Sequence, residues 1–227
     1  MIDFKNLIHE GIVNDLFKAE KARAVIRIIS KWKDEIEKKG ESHIATYSHL
    51  QTIARNEYIM SISRLSERPS NKKDNRCLRR LFNLMISSSE EFPDVRETYQ
   101  TELHLKVYNL NSALTQLLYS NDNKNFTMAL GSSFLTEFEH HLPVRKIIRS
   151  WRNEIIAHND STIKNYKLHF TESDELLELG WKVVTLIGWA YMNTVYGLYD
   201  DFQLRDDARR IYYHMDSVFS EQYPPLS

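Results

Sequence analysis

Hydrophobic positions return every three or four residues along most of this chain, the period of an amphipathic helix rather than of a strand. Leu16, Ala19, Ala22, Val25, Ile26, Ile29, Trp32 and Ile36 put one apolar face on a helix over 15–39, with Asn14 or Asp15 as its cap and Gly40 as its stop. A second helix is expected over 44–66, carried by Ile53, Tyr58, Ile59, Ile62 and Leu65. The polar run ERPSNKKDN (67–75) reads as a loop, and Leu78, Leu81, Phe82 and Met85 mark a third helix over 76–88. Pro93 then interrupts the chain ahead of a fourth helix at 94–119. After the loop NDNKN (121–125), helices are expected at 130–141, 143–157, 172–198 and 203–220, before a frayed Pro224-Pro225 tail. Residues 159–171 lack the helical period, and TIKNYKLHF alternates like a short strand. With no internal repeat, low-complexity tract or evident linker, the expected architecture is a single all-α domain over 1–227, a helical bundle of about eight helices.

Composition narrows the chemistry. Six Gly and five Pro in 227 residues favour long helices over many-turned β architectures. Thirty Lys+Arg against 31 Asp+Glu leave a net charge of −1, so any polyanion must be held by a local patch, not a global field. A single cysteine, Cys77, excludes an intramolecular disulfide and a four-cysteine zinc site, which favours a reducing, cytoplasmic setting. The N-terminal MIDFKNLIHEGIVNDLF lacks the basic and apolar regions of a secretory signal. The most apolar run, Trp181 to Tyr199, carries Lys182, Thr185, Asn193 and Thr194 inside it, so it reads as a buried core helix and not a membrane span.

The chemically informative stretch is PVRKIIRSWRNEIIAHND (143–160). Pro143 suits a first helical turn. Val144, Ile147, Ile148, Trp151 and Ile155 form one apolar stripe, and Arg145, Arg149 and Arg152 fall together on the adjoining face. Three guanidiniums in that register can fork onto successive phosphates; the competing reading is a solvated charged face. Arg152, Asn153 and His158 follow as Arg-Asn-x4-His. An Arg–His pair at such spacing arises readily by chance, and Arg209 with His214 forms a second one without the Asn. In EFEHH (137–141), Glu137, His140 and His141 cluster, but without a HExxH or HxxEH order, so no metal site is expected. Cys77 has no evident base beside it.

On Arg152, Asn153 and His158 the sequence resembles the HEPN superfamily, whose signature is an Arg, a following polar residue and a His four to six positions on. The flanking SISRLSE (61–67), CLRRLFNLM (77–85) and IIAHND (155–160) resemble the HEPN-like group of bacterial abortive-infection proteins. The resemblance implies a HEPN-like fold and a metal-independent, cofactor-free endoribonuclease of a prokaryotic defence or toxin system. RNA would be the partner, and an antitoxin or other protein a further one. Arg152 would stabilise the phosphorane, His158 would transfer protons, Asn153 would position the phosphate, and Arg145 and Arg149 would hold its neighbours. Some HEPN toxins carry a Tyr two residues after the His; here Asp160 takes that place, where it can hydrogen-bond His158 and favour its charged form. In a continuous helix, six steps turn His158 about 240° from Arg152 and raise it about 9 Å. Either the helix ends near Ala157, or the pair forms across a homodimer. A dimer would supply the second His that separate acid and base roles need, with the apolar stripe of 144–155 contributing to its interface.

Overall fold

The computed structural model describes residues 4–69, 76–157, 170–196 and 203–222, and all its regular structure is helical. A short helix α1 (Phe4–Asn6) runs through a π-helical segment, Leu7–Val13, into α2 (Asn14–Lys31). There follow α3 (Lys33–Lys38), α4 (Glu41–Leu65), α5 (Leu78–Ser87), α6 (Thr98–Val107), α7 (Ser112–Tyr119), α8 (Asn123–His140) and α9 (Leu142–Ala157). Helix α10 (Phe170–Ile187) ends in a second π-helical segment, Gly188–Met192, and α11 (Gln203–Gln222) closes the described chain.

Helices α2 and α4 form an antiparallel pair. The turn between them uses Gly40 at φ 96°, a backbone conformation that L side chains rarely adopt. Asp15 then meets Arg64 at 2.7 Å at one end, and Ser30 meets Gln51 at 3.1 Å further along. Leu16, Ala19, Ala22 and Ile26 of α2 are buried against Tyr58, Ile59, Ile62 and Leu65 of α4, as their spacing demands. A second antiparallel pair joins α5 to α8. Phe82 packs on Phe134 and Phe138, with ring centroids 5.8 and 5.7 Å apart. Gly131 allows this approach, since a Cβ there would lie 2.6 Å from Met85 Cβ.

Helix α10 runs through the core. Leu176, Leu177, Trp181, Val183, Val184, Leu186 and Ile187 are all buried. The polar residues of this apolar run are paired: Lys182 reaches Glu137 at 2.6 Å, and Thr185 donates to the Tyr196 carbonyl at 2.5 Å. No helix among the described residues is long and apolar enough to cross a membrane.

Four expectations change. The helix expected over 15–39 is two, α2 and α3, divided at Trp32, and α2 continues from the π-helical segment without a side-chain cap from Asn14 or Asp15. The fourth helix, 94–119, is two helices, because Asn109 adopts φ 51° and Asn111 caps α7 by accepting from Ala113 N at 2.9 Å. The expected 130–141 helix starts at Asn123, where Asp122 caps it by accepting from Asn125 N. The helix expected over 172–198, α10, does not continue to 198; its π-helical end stops at Asn193, at φ 48°. The possible strand at 159–171 and the Pro224-Pro225 tail lie outside the described residues, except that Phe170 begins α10.

Polar groups also lock α10 to α2 and α4. Asp174 accepts from Tyr58 at 2.9 Å and from Arg27 at 2.6 Å, and lies 3.3 Å from Arg23. Asp174→Ala is expected to lower stability by about 2 kcal/mol, because it removes the Tyr58 and Arg27 bonds and one of three carboxylates around the largely covered Arg23. Tyr58→Phe should lower it by about 1 kcal/mol. Urea unfolding of both variants measures the difference.

Candidate functional site

Helix α9 is positioned by its apolar side. Val144 and Ile148 enter the main core, and Trp151 packs against it, mostly on α4. Val144 and Ile148 are thus covered by the chain's own helices, and of the stripe's described residues only Ile147 is exposed, at 40%, and left to contribute to a dimer interface.

The three arginines share a face of α9 but not an environment. Arg145 turns inward and is 7% exposed, with its guanidinium 4.0 Å from the centroid of the Phe138 ring. It donates to the Phe138 carbonyl at 3.2 Å and pairs with Glu139 at 3.4 Å. Burial holds its pKa below the usual arginine value, the nearby Arg79 and Arg68 add to that, and Glu139 opposes it. Arg145 therefore departs from the expected solvent-facing phosphate holder and works as a packed anchor between the end of α8 and α9. Arg149 is exposed. Arg152 is intermediate: its side chain is 19% exposed, one Nη donates to Glu67, and the other lies 3.3 Å from Asn153 Oδ1. Asn153 is exposed. His158 and Asp160 lie outside the described residues, beyond the last residue of α9.

Glu67 is the feature that periodicity does not reveal. It follows the end of α4 and meets Arg152 from 85 residues away in sequence. Arg79, in the first turn of α5, reaches Glu139 at 3.3 Å from the other side. Arg68, Arg79, Arg145 and Arg152 thus gather around Glu67 and Glu139 where α4 ends, α5 begins, α8 ends and α9 passes. Arg79, Arg145 and Arg152 against Glu67 and Glu139 leave these five groups with one surplus positive charge, and exposed Arg149 adds another. Such a corner attracts anions, and planar phosphate oxygens match its forks.

The other candidates lie elsewhere. Cys77 is buried and burial raises its thiol pKa, which disfavours a nucleophilic thiolate. Glu137 is taken by Lys182, and His141 Nδ1 lies 4.0 Å from Glu175. Among the described residues no group of three or more His, Cys, Asp or Glu side chains is placed to hold a metal ion. His214 of the second Arg–His pair stands exposed on α11.

No family model, curated protein or solved structure matches the chain.

The two exposures separate two roles. Arg145→Ala should lower stability by about 2 kcal/mol through lost packing and the loss of one of the two arginines on Glu139. Arg149→Ala should leave stability unchanged within about 0.5 kcal/mol, as an exposed site does. Thermal unfolding of the two variants side by side checks the contrast.

Proposed function

We propose that this chain is a metal-independent endoribonuclease of the HEPN type, serving a prokaryotic defence or toxin system. The observation that carries the proposal is a convergence in space: the end of 61–67, the start of 77–85 and the Arg152-Asn153 pair, stretches on which the HEPN resemblance rests, meet at one cation-rich corner. Partly exposed Arg152 and exposed Arg149 and Asn153 are suited to successive phosphates along one helix face.

In the proposed reaction the RNA 2′-hydroxyl attacks the adjacent phosphorus. A base accepts the 2′ proton, the P–O5′ bond breaks, and an acid protonates the departing 5′ oxygen. The products are a 2′,3′-cyclic phosphate and a free 5′-hydroxyl. Arg152 stabilises the charge that grows on the phosphorane. His158 suits the proton transfers because imidazole titrates near neutrality. Two copies of His158 from a homodimer would divide the acid and base roles. With Val144 and Ile148 enclosed, that interface would draw on exposed groups of α9 such as Ile147.

A second function, a non-catalytic helical module that binds RNA or a protein partner, is favoured by the Arg152–Glu67 pair, which also suits a purely structural arginine.

Cleavage of single-stranded RNA in excess EDTA separates the two. The nuclease is expected to cut without metal and leave cyclic phosphate ends. His158→Ala should slow cutting by about a hundredfold or more while retaining helicity and oligomeric state. Equal cutting by both proteins, or cutting abolished by EDTA, contradicts the assignment; absence of cutting by the unmodified protein supports the module.

A further inference from the structure

We infer that Glu67 is a displaceable carboxylate latch on a phosphate site at Arg152, an inference that rests on the phosphate-binding role proposed above for this arginine. The two partners differ in placement. Arg152 is fixed on α9, with its side chain 19% exposed and its Nε buried and without a hydrogen bond among the described residues. Glu67 lies past the last residue of α4 and its side chain is 30% exposed. When an anion arrives, Glu67 is the group that can swing away.

The carboxylate occupies the guanidinium edge that phosphate oxygens would take, because both anions accept from the same planar fork. Binding therefore exchanges one anion for another. A single phosphate gains little from this exchange, since it must evict a charge already in place and then sit near it. A ligand with several phosphates gains more, because exposed Arg149, one helical turn before Arg152, offers a second contact that Glu67 does not block. The latch thereby discriminates against small monoanions and in favour of polyphosphate or nucleic-acid backbones. Asn153 Oδ1, on the other Nη of Arg152, keeps the guanidinium oriented while Glu67 is away.

Inorganic pyrophosphate, titrated at low salt by calorimetry into the full chain, tests the latch. Glu67→Gln keeps an acceptor for Arg152 but removes the charge. It should bind pyrophosphate about tenfold tighter than the unmodified protein, the difference between a charge-assisted and a neutral hydrogen bond. Glu67→Asp should bind as the unmodified protein does, and Glu90→Gln, which removes an exposed charge elsewhere, should change nothing. In an Arg152→Gln background the gain from Glu67→Gln should vanish. If Glu67→Gln lowers the folded fraction, Glu67→Ser removes the same charge and must give the same gain. Unchanged affinity, no binding by any variant, a gain that persists without Arg152, or an equal gain from Glu90→Gln overturns the latch. Cleavage of RNA by the same proteins keeps the two ideas apart. His158-dependent cutting without a Glu67 effect on pyrophosphate sinks the latch alone, and a Glu67 effect without His158-dependent cutting sinks the nuclease alone.

Discussion

Arg23 sits among three carboxylates in the space between α2, α4 and α10. Glu20 lies 2.7 Å from it, Asp174 3.3 Å and Glu178 3.6 Å. Burial alone would lower the Arg23 pKa, but Glu20 and Asp174 outweigh it and hold the pKa above its usual value. The same carboxylates serve the neighbouring helices: Trp181 donates to Glu20 at 3.0 Å, and Tyr58 and Arg27 donate to Asp174. Apolar packing has no direction and would tolerate small rotations of α10. A buried charge with named partners does not, because any slip leaves it uncompensated. This network fixes α10 against α4, and α4 in turn carries both α9 and the Glu67 end that meets Arg152.

From that frame the arginine corner follows. Burial varies from residue to residue along one face of α9, so three arginines at helical spacing acquire three different tasks. Arg145 anchors the helix on Phe138 and Glu139, Arg149 is left in solvent, and Arg152 is intermediate, mostly covered and held by Glu67. Burial strengthens the electrostatic interactions of Arg152 relative to those of Arg149. The charge surplus is local: the chain as a whole is nearly neutral, yet Arg68, Arg79, Arg145 and Arg152 meet around two carboxylates.

How much of this the sequence carried depends on the range of each signal. The buried face of α2 was legible because Leu16, Ala19, Ala22, Ile26 and Ile29 repeat with the helical period. The break within 94–119 was not, since Leu103, Val107, Leu110, Leu114 and Leu117 keep a three- and four-residue spacing across it, while the deciding event is one asparagine in the left-handed region. Ile53 was expected in the core and is 53% exposed, on a side of α4 that the described helices leave open although Gln51 and Tyr47 nearby meet α2 and α11. At the site, the adjacency of Arg149, Arg152 and Asn153 is local and could be read directly. The inward turn of Arg145 and the Glu67 pair depend on which helices pack against α9, and no spacing along the chain encodes that.

The central claim is that an RNA backbone is held by the solvent side of α9. A crystal structure of the chain with a short 2′-O-methyl oligonucleotide, which lacks the attacking hydroxyl, tests it most directly. The account predicts one phosphate on Arg152 in place of Glu67, its neighbour on Arg149, and His158 within hydrogen-bond reach of the 2′ oxygen. An oligonucleotide seated on another face, with the Arg152–Glu67 pair intact, would contradict it.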